Sequence, residues 1–166
     1  MEATMSQPFI QYIEGIDHVA IAVRDLNDAL PWYTDVLGFV VIERRTTEGT
    51  SSGMLSAVIQ NGPLHFVLLQ GTNEQSQVSR YIEQYGPGVQ HIALKVTNIE
   101  AAVDALKVAG MPFATSVIGN GALRQAFTGR DHDSGIMIEL IERNTDGFTD
   151  SNVSELFRQL EAKDGF

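Results

Sequence analysis

Two histidines lie at equivalent points of two similar apolar segments, and their type and spacing suit metal chemistry. His18 lies in the run Ile16-Asp17-His18-Val19-Ala20-Ile21-Ala22, and His91 lies in Gly88-Val89-Gln90-His91-Ile92-Ala93-Leu94. The two histidines are 73 positions apart. A lone histidine in an apolar strand is usually structural, but two at matching points of a repeat indicate a shared metal site.

A third candidate ligand is Glu139, which stands between apolar residues in a strand-like segment. A buried carboxylate without a partner is costly, so Glu139 is expected to face a cation. Two imidazoles with one carboxylate match the ligand set of non-haem Fe(II) oxygenases, which leaves coordination positions open for substrate and O2. The ligand types alone also accommodate manganese, cobalt, nickel or zinc.

The open side of this site is predicted from Phe66. A constant offset of 73 places Phe66 in the first repeat where Glu139 stands in the second. Phenylalanine cannot bind a metal, so a site with three protein ligands is expected. Phe66 is predicted to point toward the histidines and to form an aromatic wall that contacts a planar substrate.

The secondary-structure elements that must position these residues follow one pattern, which is present in two copies. In each repeat a strand is followed by an amphipathic helix, capped by Asp25 or Asn98, and by three further strands. Side chains alternate across a strand, so the pattern predicts an α+β fold in which two βαβββ modules form one cupped mixed sheet around the metal site. The predicted strands cover residues 16–24, 39–45, 54–60 and 64–70, and then 89–96, 112–117, 123–128 and 136–142.

The same pattern predicts one domain built from five segments. Residues 1–14 are expected to form an N-terminal arm, followed by the first module at 15–70 and a helical linker at 71–88. The second module is expected at 89–143, and residues 144–166 are expected to place a helix over the site.

Composition narrows the classes of partner. The 166 residues carry a formal net charge of −10 and include no cysteine. The acidic balance argues against nucleic acid as a partner, and the lack of cysteine excludes disulfides and thiolate metal ligands. No apolar run is long enough for a membrane span and no signal peptide is recognisable, so a cytoplasmic location is expected.

Motifs along the chain resemble those of the vicinal oxygen chelate superfamily, and within it the catalytic half of 4-hydroxyphenylpyruvate dioxygenase and hydroxymandelate synthase. Residues 86–94 resemble the family's signature around its second iron histidine. Residues 123–128 resemble the strand with an active-site glutamine, and residues 137–143 the strand with the iron glutamate. Residues 152–161 resemble the C-terminal helix that covers the active-site mouth.

The resemblance implies that His18, His91 and Glu139 hold Fe(II), that Gln125 faces the substrate and that Ser56 lies near it. Phe127 shares a strand face with Gln125, so it is also expected to contact the substrate. The implied activity is that of a non-haem Fe(II) dioxygenase or hydroxylase. It would act with O2 on a small, oxygen-chelating molecule such as a 2-oxo acid.

Two alternatives stay open from the sequence. A metal-dependent isomerase or epimerase of glyoxalase type would use the same ligands but would need a base for proton transfer. A small-molecule binding protein of the resistance type would use the fold without the metal. A homodimer is also open, because the chain has two modules where the full dioxygenases of the family have four.

Overall fold

The computed structural model describes residues 8–163, which form one eight-stranded sheet with helices on both faces. After a 3-10 turn at Phe9–Tyr12, the first half contains β1 (Ile13–Ala22), α1 (Leu26–Pro31), β2 (Val40–Glu48), β3 (Gly53–Asn61) and β4 (Leu64–Gly71). A connecting helix, α2 (Gln77–Tyr85), leads to the second half. That half contains β5 (Gly88–Val96), α3 (Ile99–Val108), β6 (Ile118–Asn120), β7 (Leu123–Phe127) and β8 (Met137–Arg143), and α4 (Asp150–Ala162) follows it.

The order of the strands makes the two halves of the sheet symmetric. The order is β2-β3-β4-β1-β5-β8-β7-β6, so the first strand of each half lies at the centre. These central strands, β1 and β5, pair antiparallel, and each also pairs in parallel with the last strand of its own half. The predicted α+β fold of two βαβββ modules sharing one mixed sheet, followed by a C-terminal helix, is confirmed.

Two helices cover the outer face of the sheet. Asp25 accepts a hydrogen bond from the amide of Asp28 and caps α1, and Asn98 caps α3 through the amide of Ala101. The apolar side of each helix packs against strand residues of its own half, in two separate clusters. Alternate strand residues are thereby left for the inner face.

The inner face encloses a cavity between α2 and α4. Val78 and Tyr81 of α2 pack against inner residues of the first half, and Leu156 and Leu160 of α4 pack against inner residues of the second. Helix α4 contacts β2, β6 and β7, so it bridges the two edge strands and covers the opening of the sheet. None of the helices in residues 8–163 is long and apolar enough to cross a membrane.

Polar contacts hold both ends of α4. At its start, the Nε of Arg45 lies 2.7 Å from a carboxylate oxygen of Asp150. At its end, the carboxylate of Glu161 accepts hydrogen bonds from the amides of Thr50 and Ser51 at 2.9 and 2.8 Å. The hairpin between β2 and β3 is therefore fastened to the last turn of the helix.

One predicted strand is wrong. Residues 112–117 form only an isolated bridge between Phe113 and Thr128, and β6 forms at Ile118–Asn120 instead. Pro112 has no amide hydrogen to donate to a ladder, and the hydroxyl of Thr115 accepts a hydrogen bond from the amide of Phe127 in place of a backbone carbonyl. Local side-chain bonding thus replaces regular pairing at this edge.

Phe157 is the principal apolar anchor of α4, with 1% of its surface exposed. It packs so closely on Gly49 that a Cβ there would lie 2.6 Å from a carbon of the Phe157 ring. Phe157→Ala should lower the free energy of unfolding by about 3–5 kcal/mol, measured by urea denaturation, because it leaves a cavity under the helix. Arg158→Ala, on the exposed side of α4, is the control and should change stability by less than about 0.5 kcal/mol.

Candidate metal centre

Three side chains from three adjacent strands converge on one point of the cavity. Nε2 of His18 lies 3.1 Å from Oε2 of Glu139, and Nε2 of His91 lies 3.2 Å from the same oxygen. The two imidazole rings are 5.6 Å apart between centroids and nearly perpendicular. His18, His91 and Glu139 are 3%, 7% and 1% exposed, so the structure brings the predicted ligands together in a buried site.

The register of the central strands produces this convergence. His18 pairs with Ala93 across the β1–β5 ladder, and His91 pairs with Ala20. Ala93 also pairs with Glu139 across the β5–β8 ladder. The two alanines are small, so they leave space over the sheet in which the three ligand side chains meet.

A bulge precedes each histidine and turns the preceding residue toward it. In β1, Ile16 pairs with Leu94 and His18 with Ala93, so Asp17 is an extra residue without a ladder partner. Such bulges re-aim side chains and occur often beside functional sites. As a result Oδ1 of Asp17 lies 2.8 Å from Nδ1 of its neighbour His18.

The second bulge has the same geometry with a neutral side chain. Gln90 is the extra residue of β5, because His91 pairs with Ala20 and Val89 pairs with Ile21. Oε1 of Gln90 lies 2.7 Å from Nδ1 of His91. Each histidine therefore has its Nδ1 occupied by an acceptor, which directs its Nε2 into the cavity.

Glu139 is positioned by a chain of amides that reaches α4. Nε2 of Gln125 donates to Oε1 of Glu139 at 2.7 Å, and Oε1 of Gln125 accepts from Nδ2 of Asn152 at 3.1 Å. Asn152 lies in the first turn of α4 and is 6% exposed. The oxygen of Glu139 that bonds Gln125 is not the one that faces the histidines.

The charges in this centre form an ion pair between His18 and Glu139. Burial by itself lowers the pKa of His18, but the carboxylates of Glu139 and Asp17 outweigh burial and raise that pKa to about 9. Burial raises the pKa of Glu139, yet its contacts with the two histidines hold it well below the usual range. Burial lowers the pKa of His91, and Glu139 offsets only part of that effect. At neutral pH His18 is charged and His91 is neutral.

The donor set fits a divalent cation. Nε2 of His18 and Nε2 of His91 approach the same carboxylate oxygen of Glu139, at 3.1 and 3.2 Å, so three potential donor atoms surround one buried position. Donors at right angles around a metal at about 2.1 Å are about 3 Å apart, in agreement with both separations from Glu139. No fourth histidine, acid or cysteine joins this group among the described residues.

The cavity around the three side chains is otherwise mainly apolar. Its volume is about 80 Å³, which restricts it to a small molecule. Aliphatic and aromatic side chains from the sheet, from α4 and from the segment between them form most of its wall, including Val58, Val67, Leu69, Phe148 and Phe157. Glu139 is the one carboxylate in the lining among the described residues.

Three of the predicted substrate residues line this cavity. Ser56 is 6% exposed and lies on its wall, and Phe127 packs edge-on against His91 with ring centroids 4.8 Å apart. Gln125 also lines the cavity, but its amide is engaged by Glu139 and Asn152. Gln125 therefore fixes the carboxylate of Glu139 and also faces the cavity.

The prediction for Phe66 is wrong. Phe66 packs on the outer face under α1, where it stacks on Phe39 with ring centroids 5.0 Å apart. Val67 occupies the inner position that was predicted for Phe66. Val67 pairs with Ala20 in the first half, as Glu139 pairs with Ala93 in the second. The first half has one residue more between its histidine and this position, and a slip of one residue reverses the face of a strand. Val67 also cannot bind a metal, so the candidate site still has three potential protein ligands.

Sequence reasoning overlooked the residues that orient the ligands. Asp17 and Gln90 are themselves 73 positions apart, so the repeat that linked the histidines also linked the residues before them. Strict alternation would point both away from the site, and only the bulges bring them to it. Asn152 carried no comparable signal, because its partner Gln125 is 27 residues away.

Comparisons with known proteins find relatives that are similar in sequence or in fold. The chain is 27% identical to 4-hydroxyphenylpyruvate dioxygenase from Dictyostelium discoideum, over 88% of this chain and 52% of that protein. A solved mutant of 4-hydroxymandelate synthase from Streptomyces coelicolor superposes with a TM-score of 0.83 at 23% identity, over 90% of this chain and 54% of that one. Methylmalonyl-CoA epimerase from Mycobacterium tuberculosis superposes with a TM-score of 0.67 at 27% identity, over 87% of this chain and 94% of the epimerase chain.

The extent of these matches separates two kinds of relative. The chain spans about half the length of the dioxygenase and of the synthase, and nearly the whole of the epimerase. The superposition on the synthase at 23% identity concerns the fold alone. Over residues 15–140 the sequence matches the Glyoxalase/Bleomycin resistance protein/Dioxygenase superfamily, and the chain belongs to that superfamily.

Proposed function

We propose that this chain is an Fe(II)-dependent oxygenase. Its substrate would be a small organic acid that binds a metal through two neighbouring oxygens, such as a 2-oxo acid. The observation that carries the proposal is the buried group of two imidazoles and one carboxylate, without a fourth protein ligand in residues 8–163. This donor set is typical of non-haem Fe(II) oxygenases. The similarity in sequence to a 4-hydroxyphenylpyruvate dioxygenase supports the proposal.

In the proposed reaction, His18, His91 and Glu139 hold the metal, and a bound Fe(II) would supply substrate chelation and the activation of O2. Gln125 keeps the carboxylate of Glu139 in place through its 2.7 Å hydrogen bond. Ser56 offers a buried hydroxyl to the substrate. Phe127 forms an aromatic wall beside His91, and α4 keeps bulk water away from the reacting atoms.

A metal-dependent epimerase is the second candidate. The favourable observation is that a methylmalonyl-CoA epimerase superposes over nearly its whole length. Epimerisation needs a base that removes a proton, and the one carboxylate lining the described cavity is Glu139, which is held between the histidines and Gln125. Oxygen chemistry needs no separate base, so the lining favours the oxygenase.

Oxygen consumption tests the proposal directly. The protein is loaded with Fe(II) without air and then given O2 with a panel of aryl and alkyl 2-oxo acids. We expect one stoichiometric Fe(II) and uptake of O2 with at least one of the acids. His91→Ala should reduce both to background, because it removes a ligand, whereas His132→Ala, in an exposed turn, should change neither.

Solvent exchange provides the contrary result. Incorporation of solvent deuterium into a substrate without O2 consumption would support the epimerase and exclude the oxygenase. Failure to bind any divalent metal would exclude both and leave the small-molecule binding protein.

Proton release on metal binding is a second prediction. The pKa of His18 is about 9 in the metal-free protein, so at pH 7 the metal must displace a proton from Nε2. The apparent affinity for Co(II) should therefore rise up to about tenfold for each pH unit between 6.5 and 8.5. Competition with a chelator of known affinity measures the rise. An affinity that does not change over this range would contradict a protonated His18 in the metal-free protein.

A further inference from the structure

Four side chains form a cluster on the side of His18 that faces away from Glu139, and each contacts the next. They are His18 itself, Asp17, Arg143 and Phe148. Asp17 contacts Nδ1 of His18 at 2.8 Å and meets Arg143 with two oxygen–nitrogen separations of 3.0 Å. The guanidinium carbon of Arg143 lies 5.0 Å from the ring centroid of Phe148. Phe148 completes the cluster by packing edge-on against His18, with the centroids of the two aromatic rings 5.3 Å apart.

The ion pair between Asp17 and Arg143 in this cluster is mostly buried and does not lie on the surface. The side chains of Asp17 and Arg143 are 12% and 11% exposed. Arg143 also donates to the carbonyl of Gly147 at 2.6 Å, so it is fixed from two directions. A buried pair with this geometry holds a charge in one place, whereas an exposed pair contributes little.

The second histidine is held differently. Gln90 occupies the position of Asp17 in the other half of the sheet, and it donates to Oε1 of Gln77 at 2.7 Å. Both groups are neutral amides, and both are buried. His18 is thus oriented by a carboxylate and His91 by an amide, although the two bulges are equivalent.

We propose that Asp17, ionised and held by Arg143, is a positioning residue for the metal ligand His18. It fixes Nε2 toward the metal position and makes His18 the stronger of the two imidazole donors. The proposal rests on the metal-binding part of the proposed function and is independent of the substrate and of O2. A carboxylate on the far nitrogen of a ligating histidine raises the basicity of the ligand, and loss of such a partner typically costs about 10–100-fold in metal affinity.

Metal affinity of matched variants tests the proposal. Asp17→Ala should lower Co(II) affinity about 10–100-fold in a chelator competition at pH 9.5, where His18 is already largely deprotonated in the unmodified protein and proton competition contributes little. Asp17→Asn keeps the size and an acceptor oxygen but loses the charge, so a smaller loss of about tenfold is expected. The control is Arg124→Gln, which removes a guanidinium paired with Glu100 and Glu142 outside the cavity and should leave affinity unchanged.

The visible absorption of bound Co(II) separates positioning from a general loss of structure. Because the field of the His18 ligand weakens, Asp17→Asn should shift this spectrum, while Arg124→Gln should leave it as in the unmodified protein. Circular dichroism of each metal-free variant checks that it is folded, and Asp17→Asn carries the test if Asp17→Ala fails to fold.

Two results would overturn the inference. If the unmodified chain binds Co(II) and both Asp17 variants keep its affinity and spectrum, the inference fails and the proposed function stands. If the unmodified chain binds no metal, the inference and the proposed function fail together.

Discussion

Burial of one carboxylate between two imidazoles is the interaction on which the architecture of the inner face depends. Glu139 is 1% exposed and lies in the middle of an apolar sheet, where an unpaired charge would be strongly destabilising. Its partners are available only because the first strands of the two halves lie side by side and the last strand of the second half pairs with one of them. The alanines opposite the ligands then provide the space in which the side chains meet. Sheet order, register and residue size are thus all constrained by this contact.

Each candidate ligand is also connected, through one or two intermediate residues, to a helix that covers the cavity or to the segment that leads into it. His91 is linked through Gln90 to Gln77 on α2. Glu139 is linked through Gln125 to Asn152 on α4, while Asp17 and Arg143 connect His18 to the segment that leads into α4. The cover of the cavity and the orientation of the ligands are therefore parts of one hydrogen-bonded structure. A shift of α4 would move the carboxylate of Glu139, because the amide of Gln125 is hydrogen-bonded both to Glu139 and to Asn152 of α4.

Much of this arrangement could be predicted from the sequence, and the errors have a common cause. The offset of 73 between His18 and His91 was sufficient to predict the repeat and two candidate ligands, and the apolar strand around Glu139 indicated the third. The same offset failed at Phe66, because the first half has one additional residue before its last strand reaches the site and Val67 takes the inner face. It also gave no reason to expect Asp17 beside His18, because ideal alternation points neighbouring residues to opposite faces.

The sequence by itself determined which residue types are available for chemistry, and in which order the strands and helices occur. It carries two histidines at matching positions, one carboxylate within an apolar strand and no cysteine, and these are covalent facts that no fold can change. Tertiary structure alone decided the local geometry. Bulges in β1 and β5 turn Asp17 and Gln90 onto the histidines, and α4 brings Asn152 to Gln125 across 27 residues. These features depend on how strands pair and how a helix docks, and a pattern of residue types along one chain does not contain that information.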